Sequence, residues 1–300
     1  MRATVVLALA LSMPLPVVAQ TSGAEGRSEM EAARAALPPT AAKVLFGAKA
    51  EPAPLAARSI GAYARGCLAG AVALPVDGSA WQVMRLSRNR NWGHPALIEF
   101  LEGFAARGRA IGWPGLLVGD MSQPRGGPML TGHASHQIGL DADIWFSPMP
   151  ERTLSANERE TISAVSMVDM ANRELDRTKW TETRAKLLRE AARDGRVERI
   201  FVNPPIKKAL CDWAGGDRAW LAKVRPWYGH NYHFHVRIAC PPGSEGCRDQ
   251  DPVPAGDGCG ADLAWWLGPE PWRPSPPSPP RPPLELADLP EACREVLVAK

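Results

Sequence analysis

Five of the chain's six histidines fall in two short stretches, His133 and His136 in one and His230, His233 and His235 in the other. Neutral imidazole is the commonest metal ligand, and a catalytic zinc takes three protein ligands and keeps a further position for water. His136 and Asp143 stand in an H-x6-D spacing, and His233 and His235 in H-x-H. Two imidazoles and a carboxylate suit zinc, so His136, Asp143 and His235 are the expected ligands. Water on such a zinc reaches a pKa near ~7 while the metal polarises a carbonyl, which is the chemistry of amide hydrolysis. His233 then serves as general base or oxyanion stabiliser. Asp141 is expected to accept a hydrogen bond from a ligating imidazole rather than to bind the metal.

Each of these residues has a plainer reading. A single histidine is more often a surface or satisfied core residue than a ligand, and here it is the clustering that favours ligation. Ser135 lies between His133 and His136, but the chain has no G-x-S-x-G elbow to present a serine nucleophile. His94, directly before Pro95, reads as a helix-start residue. The cysteines form no C-x-x-C pair, so thiolate ligation of zinc is the weaker reading and disulfides the stronger one.

Alternation of side chains along a strand decides which residues can meet. In Tyr232 to Ile238, His233, His235 and Arg237 share one face, and Phe234, Val236 and Ile238 share the other. Asp141 and Asp143 likewise oppose Ala142, Ile144 and Phe146, so two strands each offer a polar pair to a common face. Leu116-Leu117-Val118 and Arg199 to Val202 read as further strands. Glu29 to Ala36, Asn91 to Arg109 and Thr181 to Arg193 read as helices, the second with Leu97, Leu101 and Phe104 on one side. Ser155 with Glu158 is a capping-box pattern. The expected fold is α+β: a small central antiparallel sheet carrying the zinc site, flanked by helices and long disulfide-stapled loops.

The 300 residues, 45% of them apolar, are ample for one large core. A net charge of +3 without a Lys/Arg stripe gives no reason to expect a nucleic-acid partner. Residues 1–19, with Arg2, an apolar run and Val17-Val18-Ala19, read as a removed signal peptide, and no other stretch is long enough to span a membrane. Six cysteines after such a signal point to three disulfides in an oxidising compartment, although spacing leaves their pairing open. The expected organisation is a metallopeptidase domain over residues 20–270 and a proline-rich tail over 271–300, with Cys293 able to pin the tail back.

Taken together, the chain resembles the penicillin-insensitive murein endopeptidases, within the wider group of lysostaphin-like, D-alanyl-D-alanine and hedgehog-like metallopeptidases. The likeness runs along essentially the whole mature chain. It is carried by Arg90-Asn91-Trp92-Gly93, Val118-Gly119-Asp120-Met121-Ser122, Gly132 through Asp143, Arg199 through Pro204, Lys223 through Trp227, His233 through Arg237 and Gly256 through Gly260. The resemblance implies Zn2+ on His136, Asp143 and His235, with His133 as a further metal residue and with His233 and His230 catalytic. It implies cleavage of D-alanyl-meso-diaminopimelyl amides in the cross-linked peptides of peptidoglycan, in the periplasm. It also implies the disulfides Cys67 with Cys293, Cys211 with Cys259, and Cys240 with Cys247. The alternatives are a D-Ala-D-Ala carboxypeptidase or dipeptidase, for which Arg125, Arg225 or Arg237 could anchor a carboxylate, and a non-catalytic wall-binding protein. One departure concerns Asp169 through Asp176, where some members carry further metal ligands including a histidine and this chain has none. A second metal here would need His133 with Asp169 or Glu174.

Overall fold

The computed structural model describes residues 23–273 and 282–300. The expected leader and most of the proline run therefore lie outside the described residues. The centre of the molecule is a seven-stranded sheet: β1 (Asp77–Gly78), β2 (Trp81–Val83), β3 (Leu116–Val118), β4 (Asp141–Trp145), β5 (Val197–Val202), β6 (Val224–Pro226) and β7 (His233–Ile238), in the order β6-β5-β7-β4-β3-β2-β1. Its middle, β5-β7-β4-β3, is antiparallel, while β5 with β6 and β2 with β3 run parallel. The sheet is thus larger than expected and mixed at its flanks. The added strands have two or three residues each, too few for any alternation to show in the sequence.

Strand alternation sorts the two faces. Ala142 and Ile144 of β4 and Phe234, Val236 and Ile238 of β7 are buried in one core with Val118, Ile200 and Val202. The helix Pro95–Ala110 closes that core with Leu97, Leu101 and Phe104, and Phe104 packs edge-on against Phe234 at 6.3 Å. His94 caps this helix, its Nδ1 accepting from the Ala96 N–H at 3.1 Å. The first residues of the expected helix instead form a short strand, Trp92–Gly93, paired with Val72–Ala73. The helix Glu182–Arg193 adds Leu187, Leu188 and Ala191 to the same core. The helix Ala156–Thr161 starts with the Ser155–Glu158 capping box.

Three disulfides tie the loops to this frame: Cys67–Cys293, Cys211–Cys259 and Cys240–Cys247. They are the pairs implied by the resemblance, and they use all six cysteines. The first joins the ribbon Arg58–Ala62/Arg65–Ala69 to the C-terminal helix Ala292–Val298, and a small separate core of Phe46, Ile60, Val296 and Leu297 forms around it. Arg125 locks the same helix end by donating to the carbonyls of Val296, Leu297 and Ala299, each at 2.9 Å. Among the described residues no helix is long and apolar enough to cross a membrane.

Candidate metal centre

The opposite face of the antiparallel middle carries the polar residues. The register of β7 against β4 sets His235 across from Asp143 and Arg237 across from Asp141, so the two alternating patterns meet side by side. Asp120, just past β3, is held beside them because the Asp143 N–H donates to the Asp120 carbonyl at 3.0 Å and the Gly119 N–H to the Asp143 carbonyl at 2.8 Å. The loop after Gly132 delivers His133 and His136 to the same spot. His136 takes a left-handed backbone, φ 65°, uncommon for a residue with a side chain. That conformation is held by Asp141, whose Oδ2 accepts the His136 N–H at 2.9 Å.

Imidazoles surround the Asp143 carboxylate. Its Oδ1 lies 3.5 Å from His136 Nε2, 3.4 Å from His235 Nδ1 and 3.6 Å from His233 Nε2, and its Oδ2 lies 3.6 Å from His133 Nδ1. His133, His136 and Asp143 each turn a ligand atom to within 4.8 Å of the others, a group able to hold a metal ion. Both ring nitrogens of His136, Oδ1 of Asp143 and Nδ1 of His233 are buried without a hydrogen-bond partner. Buried polar atoms without a partner are rare and costly, and a cation among them supplies what they lack. The donor set, imidazole nitrogen and carboxylate oxygen, fits zinc.

The surrounding hydrogen bonds orient these groups. Asp141 is fully buried, and its Oδ1 accepts from His235 Nε2 at 2.9 Å and from Arg237 Nε at 2.7 Å. Asp141 thus makes the hydrogen bond to an imidazole expected of it, and the bond leaves His235 Nδ1 facing Asp143. The Arg237 guanidinium lies 4.0 Å from the centroid of the Tyr63 ring. Burial favours a neutral Asp141, but Arg237 and then His235 outweigh it and hold the carboxyl far below its usual range. Asp143 is likewise held well below that range: burial opposes ionisation, and the surrounding imidazoles, His233 first, overcome it. Burial, followed by His133, pushes His136 down to about 4, which keeps its ring neutral and ligand-competent. His230 and His233 are lowered mainly by burial, His230 to about 3. His235 moves the other way, because Asp141 overcomes the burial effect.

His230 sits at the margin with a left-handed backbone after Gly229; its Nδ1–H donates to the Tyr228 carbonyl at 2.7 Å and its ring is 5.0 Å from that of His233. The structure therefore gathers every singled-out histidine and both aspartates. What sequence reasoning missed is the role of Asp120, which accepts from His133 Nε2 at 2.9 Å, Arg90 at 2.8 Å and Arg88 at 3.1 Å. It lay just past a buried strand in one of the stretches that carry the resemblance, but nothing there gave it a role. Asp169 and Glu174 do not join His133: Asp169 is taken up by its own turn, bonding Ala171 and Asn172, and pairs across a two-residue ribbon with Glu174. Of the arginines considered for a carboxylate, Arg125 and Arg237 are committed as described, and Arg225 reaches toward Asp262 at 4.0 Å. Arg88 instead faces the recess beside Asp120, His133 and His233.

Fold and site together define a candidate metal centre on an α+β frame, in which two antiparallel strands and a neighbouring loop bring imidazoles and a carboxylate to one spot. The sequence model of the penicillin-insensitive murein endopeptidase family matches residues 59–298. The chain is 46% identical over 241 residues to the penicillin-insensitive murein endopeptidase of Haemophilus influenzae, covering 80% of this chain and 82% of the relative. Against the proteins of the same name it is 42% identical in Klebsiella pneumoniae over 80% of this chain and 86% of the relative, and 43% in Salmonella heidelberg over 82% and 88%. The chain belongs to the penicillin-insensitive murein endopeptidase family.

Proposed function

We propose that this protein is a zinc endopeptidase of the periplasm that hydrolyses the D-alanyl-meso-diaminopimelyl amide in peptidoglycan cross-links. The observation that carries the reading is the set of partnerless buried ligand atoms on His136 and Asp143, enclosed by His133, His233 and His235. His136, Asp143 and His235 would hold the ion, with His133 close by between Asp120 and Asp143. A zinc ion held there would supply Lewis acidity toward the scissile carbonyl and would make a water molecule easier to deprotonate.

The protein's own groups do the rest. His233 accepts the proton of the attacking water at Nε2, the nitrogen turned toward Asp143. As the carbon–nitrogen bond breaks and a carbon–oxygen bond replaces it, His233 returns that proton to the departing amine. His230, whose one N–H is spent on the Tyr228 carbonyl, packs its ring beside that of His233 at the edge of the site and, being neutral, offers its other nitrogen as an acceptor. Asp141 and Asp120 keep His235 and His133 in the required orientation. None of these groups is a nucleophile of the kind that β-lactams acylate, which accords with the name of the family.

Digestion of purified cross-linked muropeptide dimers, with mass analysis of products, tests the reading. Release of the two stem peptides cut between D-alanine and diaminopimelate is expected. Release of terminal D-alanine alone would instead establish the carboxypeptidase, and binding of dimers without cleavage the wall-binding protein.

A further inference from the structure

Outside the metal centre the molecule carries a ledge of aromatic rings that this chemistry does not use. Trp227 and Trp265 are each 50% exposed and Tyr228 40%, well beyond what large aromatic side chains normally leave to water. The rings are contiguous: Trp266 lies 5.7 Å from Trp227, 5.0 Å from Tyr228 and 5.2 Å from Trp265, and Trp272 lies 5.3 Å from Tyr228. A continuous exposed apolar patch of this kind marks a binding surface.

The ledge is also rigid. Trp272 Nε1–H donates to the Trp266 carbonyl at 3.1 Å, and the Tyr228 hydroxyl to the Pro271 carbonyl. The Cys211–Cys259 disulfide fixes the entry to the helix Ala261–Leu267 against the helix Pro204–Trp213. A surface held in place before its ligand arrives loses little conformational freedom on binding. The ledge is continuous with the metal centre as well, because Phe201 packs against Trp227 at 6.1 Å and against His235 at 5.3 Å.

We infer that the ledge binds the glycan strand from which the peptide cross-link hangs, an inference that rests on the murein reading above. A pyranose ring offers a flat face of C–H groups to an indole or phenol ring while its hydroxyls stay in water at the edges. The stem peptides, rich in carboxylates, call for cations instead. Here Arg225 reaches toward Asp262 and Arg273 toward Glu270, while Arg173 lays its guanidinium on the Trp272 ring at 5.6 Å. Trp227, Tyr228 and Trp265 face outward as ring surface.

The test uses the metal-loaded enzyme and two cross-linked dimers with identical peptides, one bearing its disaccharides and one stripped of them. Wild type is expected to show a higher kcat/KM on the sugar-bearing dimer, and Trp227→Ala and Trp265→Ala each to lower that preference about five- to tenfold, the scale of one stacking contact. A preference unchanged in both variants, or no preference in a wild type that cleaves both dimers, overturns the inference. An equal loss on both dimers also overturns it, by assigning the rings to the peptide. Quenching of tryptophan fluorescence by a peptide-free tetrasaccharide of the glycan gives an independent readout, expected in wild type and weakened in both variants, whose native folding is checked by near-ultraviolet circular dichroism. If wild type cleaves neither dimer but the tetrasaccharide still binds at the ledge, the hydrolase reading fails and the glycan surface stands. Quenching by the chain's own proline-rich segment and not by the sugar overturns it.

Discussion

At the scale of single residues, Asp143 and Asp141 sit two positions apart on one strand and do different work because they face different partners. Asp143 meets the imidazole nitrogens of His136 and His235, the former without a hydrogen-bond partner, whereas Asp141 meets an arginine, a ring N–H and a backbone N–H. Replacing Asp143 with Asn, or His136 with Ala, should abolish metal content and hydrolysis together, as elemental analysis alongside dimer digestion would show. Asp141→Asn should leave a metal that binds about 10 to 100-fold more weakly, the usual cost of losing a group that orients a ligand. Competition against a chelator measures it, and unchanged affinity would remove Asp141 from the metal's support. His233→Ala is expected to keep its metal and lose turnover by about 10² to 10⁴, the contribution of a positioned acid or base. Loss of the ion in that variant would make His233 a ligand instead.

At the scale of elements, the meeting of β4 and β7 was legible because strand periodicity assigns faces before any pairing is known. His233, His235, Asp141 and Asp143 could be placed on one face from spacing alone, and the register confirms it. Asp120 was not legible: its place depends on backbone bonds between Gly119, Asp120 and Asp143 that no local pattern encodes. The flanking strands Asp77–Gly78 and Val224–Pro226 escaped for the same reason, being defined by their partners and not by their composition. The helix Pro204–Trp213 offers a separate test through Lys207, which is fully buried and donates to the carbonyls of Leu221 and Asp257, each at 2.7 Å. Burial, with Arg225 nearby, lowers this lysine to about 7. In the unfolded chain it would hold its proton to about 10.4, so between these values the unfolded state binds more protons and stability rises with pH. Comparing urea midpoints at pH 7 and 9.5, the wild type should gain more on raising the pH than Lys207→Met does. Equal gains would show that the buried amine does not titrate in this range.

At the scale of the whole molecule, the disulfides link regions that share no sheet. The bridge from Cys67 to Cys293 spans 226 residues, and with Arg125 it holds the C-terminal helix on the N-terminal ribbon. The double variant Cys67→Ser/Cys293→Ser should lose about 2 to 4 kcal/mol of stability. Because that helix packs in its own small core, its release should also leave the metal centre assembled. Limited proteolysis followed by a metal assay checks both, and loss of metal on release of the helix would show that the two regions fold as one unit.

The order of these bridges along the chain has a further consequence. Cys240–Cys247 lies inside Cys211–Cys259, which lies inside Cys67–Cys293, like nested brackets. A chain made and exported from its N-terminus presents Cys67 first, yet its proper mate is the last cysteine to emerge. Oxidation of neighbours as they appear would join Cys67 to Cys211 and strand the rest in wrong pairs, which only thiol–disulfide exchange can undo. Maturation of this enzyme should therefore depend on a disulfide isomerase as well as on an oxidant. In cells that have the oxidant but not the isomerase, pulse-labelled protein on non-reducing gels should accumulate as mispaired species. Prompt arrival at the native form in such cells would mean that Cys67 is shielded until synthesis ends.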